Sequence, residues 1–444
     1  MNINSLREHY REAGCRTLLV KELACNDNTK NQIYVGGDFT ALNLLPFSDI
    51  EVDSSSKADS KRDRLKASVR FRWLTGSSDL RSINLILYPK YPEVRLSSLL
   101  GRGKSGTPED QKDLLNSRAF GRLLFFGISD TGHVIGHCAG RSSELAGSYR
   151  EERDKHGFEE AGVFQRIPLG GGNASSYELL ISALREIVNR EWITSMRLDS
   201  AGRIQPCLAQ NCGGYTLEAA LGIRPNSIAE PDFEGWEVKQ IATSNLDRPT
   251  NAPVTLMTPE PDGGFYKSDG VIPFIRRYGY TDRMGRADRL NFGGAHKIGE
   301  THHLTRLRLV LEGFDPLQPS GWAADGALAL VSETGVLAAS WSFSGLLSHW
   351  NRKHARAVYL RSVRRRNGGQ QYRFSPVVSL GIGTDFSLFL RAFQQHLMYY
   401  DPGIKLENAS TDSPTTKRRS QFRIKSSDLE GLYREFRPVD VTTE

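Results

Sequence analysis

The chain has 444 residues, of which 39% are hydrophobic and 25% charged, and a formal net charge of +7. This composition excludes wholesale disorder, and at roughly 100–200 residues per domain the length points to two or three domains. No apolar run approaches the ~18 residues of a spanning helix, and the first 17 residues lack the apolar core and cleavage site of a signal peptide. A soluble, cytoplasmic protein with no membrane association is therefore expected. The five cysteines, Cys15, Cys25, Cys138, Cys207 and Cys212, form no C-x-x-C pair, so neither a disulfide framework nor a zinc cluster is expected. The positive charge tilts toward a polyanionic partner. It gathers in two runs, Trp350–Arg356 continuing to Arg364-Arg365-Arg366, and Thr416–Lys425. Each run can equally be a solvated face.

In chain order, the first ~140 residues read as short strands bounded by Gly, Asn, Asp and Pro. They are Thr17–Lys21, Gln32–Val35, Ala67–Trp73, Ile83–Tyr88 and Leu123–Ile128. Strands at this spacing, without long helical patterns, suggest a small barrel or sandwich. Ser54–Arg64 reads as a polar loop. In His133-Val-Ile-Gly-His137 the two imidazoles would stand ~13 Å apart along a strand, too far to share a metal. From Arg141 the chain turns polar and reaches Gly170-Gly-Gly172, which reads as a linker and lacks the Lys-Ser/Thr of a phosphate loop. Apolar residues at Leu179, Leu180, Ala183 and Ile187 predict a helix over 175–190. A mixed α/β segment runs on to about residue 400, with a capped helix start within Ser340–Trp350. The predicted domains are 1–165 and 173–444.

The most informative stretch is Gly213-Gly-Tyr-Thr-Leu-Glu218, then Pro231-Asp232-Phe-Glu-Gly-Trp-Glu237-Val-Lys239. On a strand Glu237 and Lys239 share a face, and Asp232 enters across a bend at Gly235. Two carboxylates with the Val238 carbonyl make a hard oxygen site suited to Mg²⁺, which neutralises a scissile phosphate and acidifies a water. Lys239 would orient that water or meet the developing charge. Glu218, on a preceding helix, would bind metal through water or fix Lys239. The spacing alone is weak, because a salt-bridged strand edge has the same pattern.

This segment, with Arg276–Gly279, Trp341–Phe343 and Gln421–Ile424 downstream, resembles the MvaI/BcnI family of restriction endonucleases, relatives of the MutH mismatch-repair nickase. The similarity runs from about Ser175 to the C-terminus. It implies an α/β PD-(D/E)xK nuclease domain and a Mg²⁺-dependent type II enzyme. Asp232 and Glu237 would be metal ligands, Lys239 the catalytic lysine and Glu218 the helix carboxylate. Members resemble one another in cutting CC-N-GG-type sites, often as monomers, which implies a monomer with a cognate DNA methyltransferase as genetic partner. The implied DNA contacts are Arg276, Arg277, Tyr278, Lys405, Lys417, Arg418, Arg419 and Arg423. Where the family pattern expects a His-rich segment before Phe-Arg-Ile, this chain has Thr416–Ser420. Arginine is the best bidentate partner of guanine, so a G/C-rich target stays plausible.

Val20–Val35 resembles the effector domain of EcoRII, a pseudobarrel shared with plant auxin-response-type transcription factors. Its two DNA-gripping arms would be Asn26–Gln32, with Lys21, Asn26, Asp27 and Lys30 as contacts, and Thr75–Arg81, with Arg81. Asn26-Asp27-Asn28 also reads as an ordinary hairpin turn. The two halves together imply the target CCWGG and activation by a second DNA copy, as in type IIE enzymes. Two other readings stay open: a MutH-like enzyme that nicks one strand, and a non-catalytic DNA-binding regulator whose Asp232, Glu237 and Lys239 form a structural ion pair.

Overall fold

The computed structural model describes residues 1–25, 32–53, 64–90, 93–101, 106–170, 175–209, 211–224, 231–318 and 321–444, with backbone only at 352 and 353. Asn26, Asp27 and Lys30 lie outside the described residues, as does most of the 54–64 loop. The chain divides into two compact units, Met1–Ser175 and Ser176–Glu444.

The first unit is β-rich. All five predicted strands form, within Cys15–Leu23, Gln32–Gly36, Leu65–Trp73, Arg81–Tyr88 and Arg122–Ser129. They join one ten-stranded sheet that is antiparallel except where Leu65–Trp73 runs parallel to Val134–Ala139. Leu65–Trp73 buries alternate residues, as a sheet with one covered face requires. Arg122–Ser129 and Val134–Ala139 are buried throughout. Leu123, Phe125 and Ile135 pack in one cluster with Ile3, Leu6 and Tyr10 of the helix Ile3–Glu12 and Leu145, Ala146 and Tyr149 of the helix Glu144–His156.

That second helix corrects the sequence reading of 141–172 as linker. Ser143 caps it by accepting from Ala146 N at 3.1 Å, and the strands Glu159–Ala161 and Phe164–Ile167 then extend the sheet. The polar composition reflects a helix that buries only three side chains. His133 sits in a turn against Ser129 and Thr131, and His137 is buried in its strand with its pKa pushed down to about 4 by burial.

The second unit is α/β. Its main sheet has the order Ile193–Thr194, Gln370–Ile382, Arg356–Arg366, Glu237–Ala242, with Glu435–Asp440 alongside Gln370–Ile382. Glu237–Ala242 is an edge strand, parallel to its one neighbour. The predicted helix is present as Ser176–Asn189, and Leu180, Ile181, Leu184 and Ile187 bury against Trp236, Val238, Val358 and Leu360. The predicted capped start is Ser342, whose hydroxyl accepts from Gly345 N ahead of the helix Phe343–Lys353. Among the described residues no helix is long and apolar enough to cross a membrane.

Cys207 and Cys212 are joined by a disulfide, against the expectation of none. The short strand Ile204–Pro206 and the first turn of the helix Cys212–Ala220 bring the two Cα atoms within 5.8 Å. Closing so short a loop constrains the unfolded chain by about 2 kcal/mol. Denaturant unfolding with and without a thiol reductant should therefore differ by no more than about that amount, and a larger gap would mean that the bond organises more than its own loop.

Candidate active site

A two-residue turn builds the centre. Phe233 N donates to Trp236 O at 2.9 Å and Trp236 N to Phe233 O at 2.7 Å, around Glu234 (φ 46°) and Gly235 (φ 81°). Two successive positive φ values make the mirror-image turn that joins antiparallel segments most tightly. Trp236, 1% exposed, anchors the turn, and the Arg356 guanidinium lies 5.8 Å from its ring centre. The pairing sets Asp232 across from Glu237, and the Asp232 carboxylate accepts from Val238 N at 2.9 Å. An extended residue directs its N–H and C=O to the same edge. The Val238 carbonyl therefore faces the open edge of the sheet together with Asp232, while the other edge pairs with Arg356–Arg366.

A Cβ on Gly235 would meet nothing within 4 Å, so a side chain there is opposed by backbone conformation alone. Gly235→Val should cost about 1–2 kcal/mol of stability. Because it re-aims Asp232, it should depress DNA cleavage by a larger factor than its stability loss explains, which parallel rate and thermal-melting measurements will read.

Glu237 is fully buried. A buried carboxylate needs a partner, and the Lys239 ammonium pairs with it from the same face of the strand. Burial works against the charge on Lys239, but Glu237, Asp232 and Glu218 together hold its pKa above the ordinary lysine value. Lys239 is therefore a cation and a hydrogen-bond donor at neutral pH. Glu218 reaches this field from the helix Cys212–Ala220. That helix packs closely on the strand: a Cβ at Gly213 would come within 2.9 Å of the Gln240 side-chain amide and 3.1 Å of the Tyr372 ring, so a larger residue there would have to push the Gln240 amide aside. Beneath the centre Tyr359, the cross-strand neighbour of Lys239, shares a 2.7 Å hydroxyl contact with Tyr433. Burial foremost raises both tyrosine pKa values, and Glu237 adds to the rise.

No three His, Cys, Asp or Glu side chains gather as a metal cage among the described residues. Asp232, Glu237 and the Val238 carbonyl form a smaller, all-oxygen set. Mg²⁺ is commonly held in this way, by one or two carboxylates with waters and a substrate phosphate completing its shell. The donors present fit such an ion.

The family model of the MvaI/BcnI restriction endonucleases matches residues 181–433, more than half of the chain. The chain belongs to the MvaI/BcnI restriction endonuclease family. It is a type II restriction enzyme, a site-specific deoxyribonuclease that binds double-stranded DNA, in a class that generally uses divalent metal ions. The structure of a restriction endonuclease MvaI–cognate DNA substrate complex shares 15% identity, covering 60% of this chain and 99% of that one, with a TM-score of 0.45. MvaI in the absence of DNA shares 14% identity, covering 61% and 100%, with a TM-score of 0.35. No curated protein matches the chain.

The DNA contacts implied for an MvaI/BcnI-family chain fall into two groups. Arg276, Arg277, Lys417, Arg418 and Arg419 are exposed. Arg276 donates to Ala409 O at 3.1 Å, and Arg277 lies over the Phe265 ring at 5.0 Å. Lys405 and Lys417 stand directly opposite on paired strands, and burial together with Arg289, Arg286 and Lys417 lowers the Lys405 pKa. Other side chains are engaged by the fold. Tyr278 is buried against Phe274. Arg423 pairs with Asp401 at 2.6 Å and donates to the Thr255 hydroxyl at 3.1 Å. In the first unit Lys21 is buried with its ammonium on the Glu22 carbonyl. Arg81, half-buried, donates to the Ser98 and Leu99 carbonyls and stacks over Phe71.

Three side chains beneath and beside the centre were not foreseen. Tyr359 and Tyr433 are 74 residues apart, and no local pattern joins them. Gln240, which donates to Ser362 Oγ at 2.9 Å, could have been noticed as the next polar residue on the strand that carries Glu237 and Lys239.

His296, His302 and His303 form a ring stack, with 4.3 Å between the first two. His296 is fully buried, with Nε2 against Thr305 Oγ1 at 2.8 Å. Burial first, and His302 second, push its pKa down to about 3. The unfolded chain binds a proton at this histidine near pH 6.5 and the folded chain does not. The stability it supports is thus complete above about pH 6.5 and is lost as pH falls from there toward 3. Between pH 6.5 and 5 wild type should lose about 2 kcal/mol more than His296→Phe, measured by urea unfolding. Equal pH slopes would refute the assignment.

Proposed function

We propose that this enzyme hydrolyses both strands of DNA at a CCWGG-type site with Mg²⁺, leaving 5′-phosphate and 3′-hydroxyl ends. The observation carrying this reading is the convergence of Asp232, Glu237 and Lys239 on one strand edge in a chain of this family. Asp232 and Glu237, with the Val238 carbonyl, hold the ion, which when bound neutralises phosphate charge and makes a water more acidic. Lys239 keeps its proton and points it at the attacking water or a non-bridging phosphate oxygen, where negative charge grows. Glu237 fixes the ammonium in place, and Glu218 reinforces its charge from the helix. Arg423, clamped by Asp401 and Thr255, presents an oriented guanidinium suited to a guanine edge, with the Arg276, Arg277, Lys405 and Lys417–Arg419 cations on the backbone.

The division into a nuclease domain over 173–444 and a DNA-binding effector domain over 1–165, with a pseudobarrel fold, belongs to the same proposal. The β-rich first unit and the likeness of 20–35 to EcoRII support it. The effector domain would bind a second copy of the site and stimulate cutting, as in a type IIE enzyme. The enzyme would work as a cytoplasmic bacterial monomer whose genome also encodes a protecting methyltransferase. Plasmids with two, one or no CCWGG sites test this in a single assay with and without Mg²⁺. Linear products mapping to the site, formed faster from two sites than from one, are expected. Stable nicked circles would instead indicate a MutH-like, one-strand reaction, and equal rates on one and two sites would remove the effector role.

A further inference from the structure

The strands Arg356–Arg366 and Gln370–Ile382 continue past the end of their neighbour: the catalytic strand pairs only as far as Ala242 opposite Ser362. Beyond that rung the two strands run on as a hairpin ribbon closed by Asn367-Gly368-Gly369, with Arg366 opposite Gln370 and Val363 opposite Arg373, and the short strand Ile193–Thr194 flanks its outer edge at Gln371 and Tyr372. Residues 361–373 contain Arg361, Arg364, Arg365, Arg366 and Arg373 and no Asp or Glu. The last four are exposed, and among the described residues none of them is paired with a carboxylate. Two of them are nevertheless placed. Arg365 stacks 4.0 Å over Trp192 and donates to Gln371 at 2.8 Å, and Arg364 lies at the Tyr372 hydroxyl. Arginines on both faces of a ribbon, two of them held by aromatic side chains and none with a counter-charge among the described residues, complement a polyanion rather than a local acid.

We propose that this ribbon grips the backbone of duplex DNA flanking the cut site, an inference that rests on the reading of the chain as a DNA endonuclease. Tyr359 marks the level of Lys239, so Arg364–Arg366 lie about 16–23 Å farther along the strand. That reach corresponds to on the order of five to seven base pairs, outside or at the rim of a short recognition site.

The test is binding of the full chain to a random-sequence duplex of about 30 base pairs, without metal, over a range of salt concentrations. Arg364→Gln/Arg366→Gln/Arg373→Gln should flatten the dependence of log affinity on log salt by about 2–3 units, roughly 0.9 per lost phosphate contact. The corresponding triple Arg→Lys variant should keep the wild-type slope. A Gln variant with an unchanged slope would overturn the proposal and leave the arginines as a guard against strand pairing at an open edge. Equal loss in the Lys variant would overturn it as well, since charge would not be the cause. Because the readout is binding, failure of the cleavage reading shows separately, as wild type that binds duplex and cuts nothing.

Discussion

Lys239→Ala should slow plasmid cleavage by at least about 10³-fold while duplex binding changes by no more than a few fold. One pre-aimed donor at a centre of growing charge contributes about 10²–10³ in rate. Here the same side chain also pairs with Glu237, so the variant removes the cation from beside a fully buried carboxylate. Breaking a buried pair from one side costs about 3–5 kcal/mol, and a lower melting temperature should accompany the lost rate. Adding Glu237→Gln should recover much of the stability and none of the activity, separating the ion pair's structural role from its chemical one. Since Lys239 is paired and its pKa is raised, this contribution to stability is fully present below pH 10.4, the ordinary lysine value. It is lost as pH rises through the higher folded value. An alanine variant cutting at the wild-type rate would end the assignment.

The second large effect is expected at Asp232. Asp232→Asn keeps the shape and an oxygen for Val238 N–H, so the turn should hold and melting should stay near wild type. What disappears is one negative charge from the oxygen set. Loss of several kcal/mol of metal-borne stabilisation corresponds to about 10²–10³ in single-turnover rate, partly recoverable at higher Mg²⁺. Glu218→Gln, acting through Lys239, should cost less, about tenfold. If Asp232→Asn needs no more Mg²⁺ than wild type, Asp232 is not a ligand and serves only to cap the strand.

The centre was legible because its groups are close in sequence and obey the two-residue period of a strand. Glu237 and Lys239 share a face by that rule, and the Gly235 bend brings Asp232 over them. The helix Ser176–Asn189 was legible through its apolar spacing, and the helix Phe343–Lys353 through its serine cap. Features resting on long-range packing were not. Glu144–His156 hides three buried residues among charges and looks like a linker. The Tyr359–Tyr433 contact and the Arg423–Asp401 pair join residues with no periodic relation. Cys207 and Cys212 carry no recognisable spacing, and only the turn from strand to helix brings them together.

The tight turn at 234–235 has a consequence for how such enzymes diversify. It places Asp232, Glu237 and Lys239 within one short stretch of chain, whereas the arginines and lysines able to face DNA are spread from residue 276 to residue 423. On the proposed reading, the groups that cut thus form a single local cassette, and the groups that would read sequence sit on separate elements. Drift among those readers can change which DNA is chosen without disturbing how it is cut.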